Sequence, residues 1–239
     1  MQLDRRDLIR YGGTGLITAA ILLVLVGSGW ALIRGKSPVE TTLDKMRRVP
    51  LIGLVIAENA DVAGRMRKAL EDESHSPTQQ GLSRPYALIA DIRRQYVVPA
   101  LRAADDATAI AAVAARADLV RHLRNADVAS CRAFSVGAVQ RPDALDPEAR
   151  RLFGLWQQAV EAAYRSGKAA GQPRQLPTRA EVASLLRQAG FRKADFDRLN
   201  AFKQLSNEAS CDVELMVDSV PPLLPADKRG PFARYLLTN

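Results

Sequence analysis

Two cysteines, Cys131 in VASCRAF and Cys211 in NEASCDVEL, and two histidines, His75 and His122, are the whole supply of thiols and imidazoles in this chain. An even, minimal cysteine count is what a single structural disulfide leaves. Closing a loop of about eighty residues in this way would stabilise the fold by roughly 4 kcal/mol in the chain-entropy model. Neither cysteine belongs to a C-x-x-C or C-x-x-C-H pattern, so redox exchange, zinc and covalent haem lack support. Glu71 and His75 lie four apart beside Asp72 and Glu73, a loose oxygen and nitrogen set of the kind a divalent cation can find, although solvated charge at a helix end is the simpler account. His122, between Arg121 and Leu123, reads as a surface or boundary residue of a helix.

Other catalytic patterns are missing. No G-x-S-x-G elbow, H-E-x-x-H pair or P-loop is present. The run Gly12-Gly13-Thr14-Gly15 has no strand before it and leads into apolar sequence, so it does not form a phosphate cradle. Carboxylate neighbours such as Asp105-Asp106 and Glu71 to Glu73 have capping and solvation roles, and a hydrolase built from two carboxylates would need acids that meet only in space. The segments TRAEVASLLRQAG and RKADFDRLNAFKQ have helix-turn-helix spacing. The second carries Asp195 and Asp197 and presents phenylalanines where base-reading polar groups belong, so a packed helical hairpin is expected. Catalytic residues, cofactors and metal ligands are therefore assigned to none of these positions.

The element that would position everything else is the stretch Thr14 to Ile33, twenty residues without a charge. At about 1.5 Å per residue it matches a hydrocarbon layer of roughly 30 Å, which predicts a single membrane-spanning helix and the lipid bilayer as one partner. The formal charge is +8, and the segment before Arg34 contributes three Arg against Asp4 and Asp7. The body is thus basic without a concentrated patch. Its 47% apolar and 25% charged residues are ordinary for a globular chain, whereas its 5% aromatic content and abundant Ala, Arg and Leu favour helices.

Residues Asp4 to Ala20, DRRDLIRYGGTGLITAA, resemble a twin-arginine export signal: Arg5 and Arg6 are paired, Leu8 and Ile9 follow one spacer, and Arg10 precedes a Gly-rich entry to the apolar stretch. The greasy Ile21 to Val26 and the lack of a small-x-small cleavage site before Arg34 depart from that pattern and point to an uncleaved anchor. Arg34, Lys36, Lys45, Arg47 and Arg48 after the span count toward a cytoplasmic body by the positive-inside rule. A short basic tail before one apolar helix, together with the cysteine pair, counts toward a periplasmic body, and that orientation is the one expected.

Along the body, 34–50 is expected to be a juxtamembrane spacer, with Pro38 at a helix start and Pro50 at its limit. One helix is predicted over Leu51 to Glu73, with Leu51, Leu54, Val55, Glu58, Val62, Met66 and Leu70 on one stripe. Ser83 to Ala104 reads as helical with a break near Pro99, and Asp105 caps an Ala-rich helix to Asn125 whose Ile110, Val113, Ala117, Val120 and Leu123 face inward. A shorter segment starts at Asp127, and Asp146-Pro147 opens a strongly amphipathic helix to about Ser166. The stretch 167–177, GKAAGQPRQLP, is the best candidate for an internal boundary. Thr178 and Glu181 form a capping box, Gly190 stops that helix, and CDVELMV is short enough to be a strand.

The fold expected is therefore all-α: a basic tail over 1–13, a transmembrane signal-anchor over 14–33, the spacer, and a multi-helix, bundle-like soluble body over 51–239. The function expected is non-enzymatic scaffolding or partner binding at a bacterial cell envelope, from the periplasmic face of the inner membrane. An envelope protein is the partner expected, with anionic lipid or envelope polymer as further ligands and no nucleic acid. Alternatives are an anchored hydrolase or binding protein for an anionic envelope ligand, and a cytoplasm-facing basic module that binds nucleic acid or lipid.

Overall fold

Capping chemistry sets most helix ends in the computed structural model, which describes residues 37–75, 84–135 and 144–239. The predicted span 14–33 and the signal residues Arg5, Arg6 and Arg10 lie outside these. Among the described residues every regular element is helical, no strand occurs, and no helix is long and apolar enough to cross a membrane. The expectation of an all-helical body is met.

Ser37 accepts the Glu40 N–H and starts α1 (Pro38–Arg47), which sends Thr42, Leu43 and Met46 into the interior. Residues inside the stretch expected as a spacer are thus packed into the body. Pro50 then opens α2 (Pro50–Glu58). The single helix expected over 51–73 is in fact two: Asn59 adopts extended backbone (φ −131°, ψ 99°), its side-chain amide donates to the Val55 carbonyl, and α3 (Ala60–His75) begins afresh. An asparagine that satisfies the last turn of one helix with its own side chain competes well with continuation.

The break expected near Pro99 takes the form of a widened turn. Following α4 (Arg84–Ile92), residues Arg93–Val97 form a π-turn closed by the Val98 N–H on the Arg93 carbonyl, which passes the chain into α5 (Val98–Ala103) with Pro99 in its first turn. Pro99 cannot donate to the preceding helix, and the extra residue in the turn absorbs the mismatch. The longer α6 (Asp106–Ala126) follows. Its Asp105 cap accepts the Thr108 N–H at 2.8 Å and a 2.6 Å bond from the Ser166 hydroxyl, which anchors the start of α6 to a later helix.

That later helix is α8 (Pro147–Ala170), reached through α7 (Val128–Ser135). Asp146 caps it through the Glu148 and Ala149 N–H groups, both at 2.9 Å. The helix does not stop at Ser166: Gly167 continues it, and Gly171, in the left-handed region at φ 75°, ends it. Gly167 has a packing reason instead, because a Cβ there would strike the Ala100 carbonyl and the Ala104 nitrogen of α5.

Helix α6 is the axis of the body, packed against α8, α11 (Asn207–Asp218) and α12 (Ala226–Thr238), while α8 also meets α5 and α2. The main core gathers Leu43, Met46, Val55, Leu101, Leu123, Trp156 and Tyr164. Phe134, Phe153 and Trp156 stack edge-on and tilted at centroid distances of 4.9 to 6.3 Å. A second core joins α9 (Arg179–Gln188), α10 (Lys193–Asn200) and α12 (Ala226–Thr238) through Val182, Leu186, Phe196, Leu224 and Phe232. Of the stretch 167–177, residues 167–170 form the last turn of α8 and the remainder is the non-helical connection to α9. CDVELMV is helical, not extended: it belongs to α11 (Asn207–Asp218), capped by Ser206 through the Ala209 N–H. A cap upstream and two faces to bury outweigh the β-propensity of so short a run.

Candidate functional site

Cys131 of α7 and Cys211 of α11 are joined, with Cα atoms 6.1 Å apart, and both are fully buried. The pair expected from cysteine count alone is therefore present, and it fastens α11 to α7. On the same two helices Arg132 donates to the Ser210 hydroxyl at 2.8 Å and stacks over the Phe202 ring at 4.8 Å.

One turn of α11 further on lies a buried charge cluster. Arg116 of α6, 7% exposed, donates to Asp218 Oδ1 at 2.9 Å and to Glu214 Oε1. Its guanidinium also sits 5.9 Å from the Phe134 ring centroid. Glu214 and Asp218 are 5% and 2% exposed, and Asp218 Oδ2 has no partner. One buried cation thus serves two buried carboxyls. Burial pushes the Asp218 carboxyl up to about 6, against the opposing pull of Arg116. The cluster is closed to solvent, which makes it a clamp between α6 and α11 and leaves no room for a substrate.

The open site is elsewhere. A groove of about 380 Å³ runs between the connection after α8, one face of α9 and the start of α12. Glu181, Ser184, Leu185 and Gln188 reach it at steps of three and four along α9, because Val182, Ala183 and Leu186 turn the opposite face into the second core. Gln175, Leu176 and Pro177 form one wall, and Lys228 and Pro231 the other. Apolar Leu176, Pro177, Leu185 and Pro231 share the lining with polar Gln175, Glu181, Ser184, Gln188 and Lys228, and the volume is in the range of roughly 300–1,000 Å³ typical of ligand sites. Glu181 is committed to the capping box, where it accepts the Thr178 N–H at 2.7 Å and hydroxyl at 2.8 Å. Those bonds, with Lys228 nearby, hold its carboxyl below the usual range.

The sequence candidates fall apart from this groove. His122 Nε2 lies 2.9 Å from Asp146, whose carboxyl is held low first by the Ala149 N–H and then by His122, so the histidine braces the start of α8. The side chain of His75 lies outside the described part, and Glu71 is exposed on α3. Among the described residues no three His, Cys, Asp or Glu side chains converge as metal ligands do. Between the two helices with helix-turn-helix spacing, Phe191 of the connecting turn and Phe196 of α10 lie with ring centroids 6.1 Å apart and join the second core. Sequence reasoning missed both the groove and the Arg116 cluster. The spacing of Glu214 and Asp218 at i and i+4 was the one available signal for the cluster.

Comparison with protein-family models, with curated proteins and with solved structures finds no match.

Proposed function

We propose that this chain is an anchored envelope protein whose helical body holds a partner at the periplasmic face of the membrane, without catalysing a reaction. The observation that carries this reading is the open groove between α9 and α12, lined by both apolar and polar side chains. An anchor over 14–33 would keep that groove near the bilayer and raise its effective concentration toward other envelope components. A buried cysteine pair fits an oxidising compartment.

The alternative, a hydrolase or an Arg-lined cleft for an anionic ligand, draws less support. Its cations would have to converge in an open concavity, yet the deeply buried ones, Arg116 and Arg234, are spent on Glu214, Asp218 and Asp106. Surface cations sit in short pairs spread over the body, such as Arg67 with Glu40 at 2.6 Å and Arg165 with Glu161 at 2.7 Å.

The test has two arms in cells carrying the full chain. A reporter active only in the periplasm, fused after Asn239, is expected to be active, with both thiols blocked to alkylation. A photo-crosslinking residue at Gln188 is expected to trap one discrete partner, whereas the same residue at exposed Leu155 on α8 traps none. A silent reporter with two reactive thiols rejects the orientation, and equal trapping at both positions rejects the groove.

A further inference from the structure

Helix α11 carries two acids on the face it buries, and a single cation comes to meet them. Glu214 and Asp218 lie one and two turns beyond Cys211, at steps of three and then four residues, so all three share a face. Arg116 of α6 donates to both carboxyls, yet Asp218 Oδ2 is out of water and has no partner. Asp218 is moreover the last residue of α11, a helix with no basic residue in its last turn, so the unpaired carbonyls there oppose a carboxylate.

Other charges on the elements packed against α11 do not make up the deficit. On α6, Arg124 is taken by Asp212 at 2.7 Å, and Asp118 and Arg121 pair with each other at 2.6 Å. Arg132 of α7 bonds the Ser210 hydroxyl, and Asp127 before α7 accepts from Ser130. Arg198 of α10 lies 3.9 Å from Asp212, and Lys203 on the short turn after α10 is exposed. Among the described residues Arg116 is the charged group that acts on Asp218. With one acid protonated the cluster is neutral. With both ionised it keeps a surplus negative charge away from water, and hydration relieves it.

Arg116, Glu214 and Asp218 are all nearly closed to solvent, so water reaches them when the end of α11 loosens. The chain on either side is held. Upstream, the Cys131–Cys211 bond fastens α11 to α7. Downstream, Val220 and Leu224 are buried in the second core. The stretch left to move between these two anchors is 212–219.

We infer that the second half of α11 is a proton-operated latch: one proton held by the Glu214 and Asp218 pair keeps it shut on Arg116, and loss of that proton to solvent releases 212–219 as a local unit while the rest of the body stays folded. The latch is independent of what the groove holds. Burial raises the Asp218 carboxyl to about 6, so closure is strongest in acid and fades as pH rises through that value.

The test is amide hydrogen–deuterium exchange of the full chain, read by mass spectrometry at pH 5 and pH 7.5, each rate corrected for the intrinsic effect of pH on exchange. At pH 7.5 the amides of 212–219 are expected to exchange more than about tenfold faster than those of α8 around Trp156, which marks opening without global unfolding. Their protection is expected to fall about tenfold from pH 5 to pH 7.5, the part of the change from 3.8 to about 6 that lies in this window. Asp218→Asn and Glu214→Gln should each remove that fall, whereas Asp212→Asn, on the same stretch but outside the cluster, should keep it. Melting curves by circular dichroism verify that each variant folds. Equal protection of 212–219 and α8 at pH 7.5 overturns the inference, because the stretch then opens only with the whole body. So does protection that stays constant between the two pH values, or a fall that persists in either cluster variant.

Discussion

Replacing Asp218 by Asn should stabilise the fold at neutral pH and leave its stability nearly unchanged near pH 4.5. In the wild type one guanidinium, Arg116, faces two carboxyls, Glu214 and Asp218, all nearly out of solvent. Burial raises the Asp218 carboxyl from 3.8 to about 6, so the folded chain holds that proton more tightly than the unfolded chain. A group of this sign contributes its stabilisation fully below the unfolded value and loses it as pH climbs through the folded one. A gap of about two units at 1.36 kcal/mol each makes the whole loss about 3 kcal/mol, of which about 2 kcal/mol falls between about pH 4.5 and pH 7.5. Asp105, Asp127 and Asp146 are shifted the other way, by the Ser166 hydroxyl, by Ser130 and by the Ala149 N–H respectively. Their stabilisation is present above the unfolded value of 3.8 and lost as pH falls, so a window from about pH 5 to 7.5 isolates Asp218.

In Asp218→Asn the amide oxygen still accepts from Arg116, and the charge excess is gone. Its amide nitrogen replaces an oxygen that already lacked a partner, at a cost of about 1 kcal/mol. The variant should therefore match wild type to within about 0.5 kcal/mol near pH 4.5 and be about 2 kcal/mol more stable near pH 7.5. Urea denaturation followed by tryptophan fluorescence, at several pH values, reads both. Glu214→Gln should flatten the same pH dependence, since Arg116 and Asp218 then form a one-to-one ionic pair. A stability difference that is constant across the window refutes the reasoning.

Three other outcomes follow from the packing. Replacing Cys131 and Cys211 by Ala frees a loop of 80 residues and should cost about 4.5 kcal/mol in urea, close to the effect of reductant on the wild type. Gly167→Ala drives a methyl into the Ala100 carbonyl of α5 and should cost about 1–3 kcal/mol, visible as a lower melting temperature, whereas Gly154→Ala on the same helix meets open space and should raise it slightly. Thr178→Ala removes one half of the capping box on α9 and should cost about 1 kcal/mol, with faster amide exchange confined to the first turn of that helix.

Much of the helix layout was legible in the chain because its signals are local. Asp105, Asp146 and Thr178 accept N–H groups three residues or fewer ahead, and Gly190 closes α9 at φ 98°, all within a single turn. Apolar stripes were legible for the same reason: Val113, Ala117, Val120 and Leu123 repeat at helical steps, and each is buried. Asn59 was misread because its side chain competes with the backbone at just one carbonyl, a signal weaker than the apolar stripe running across it. CDVELMV was ambiguous because a short apolar run has no period long enough to separate helix from strand.

What the sequence determined by itself is the all-helical character of the body, most of its caps and stops, and the two cysteines that meet. Those depend on intrinsic propensity and on contacts a few residues away, or on a choice with only one pairing. Tertiary structure alone decided which arginines became interior. Arg116 reads like any other cation among the 34 Lys and Arg, and only the arrival of α11, about a hundred residues later, seals it against Glu214 and Asp218. The groove has the same origin. Its walls come from three segments between Gln175 and Pro231 whose spacing is set by the second core, and the energy of an enclosed surface depends on what faces it, which no stretch of chain carries alone.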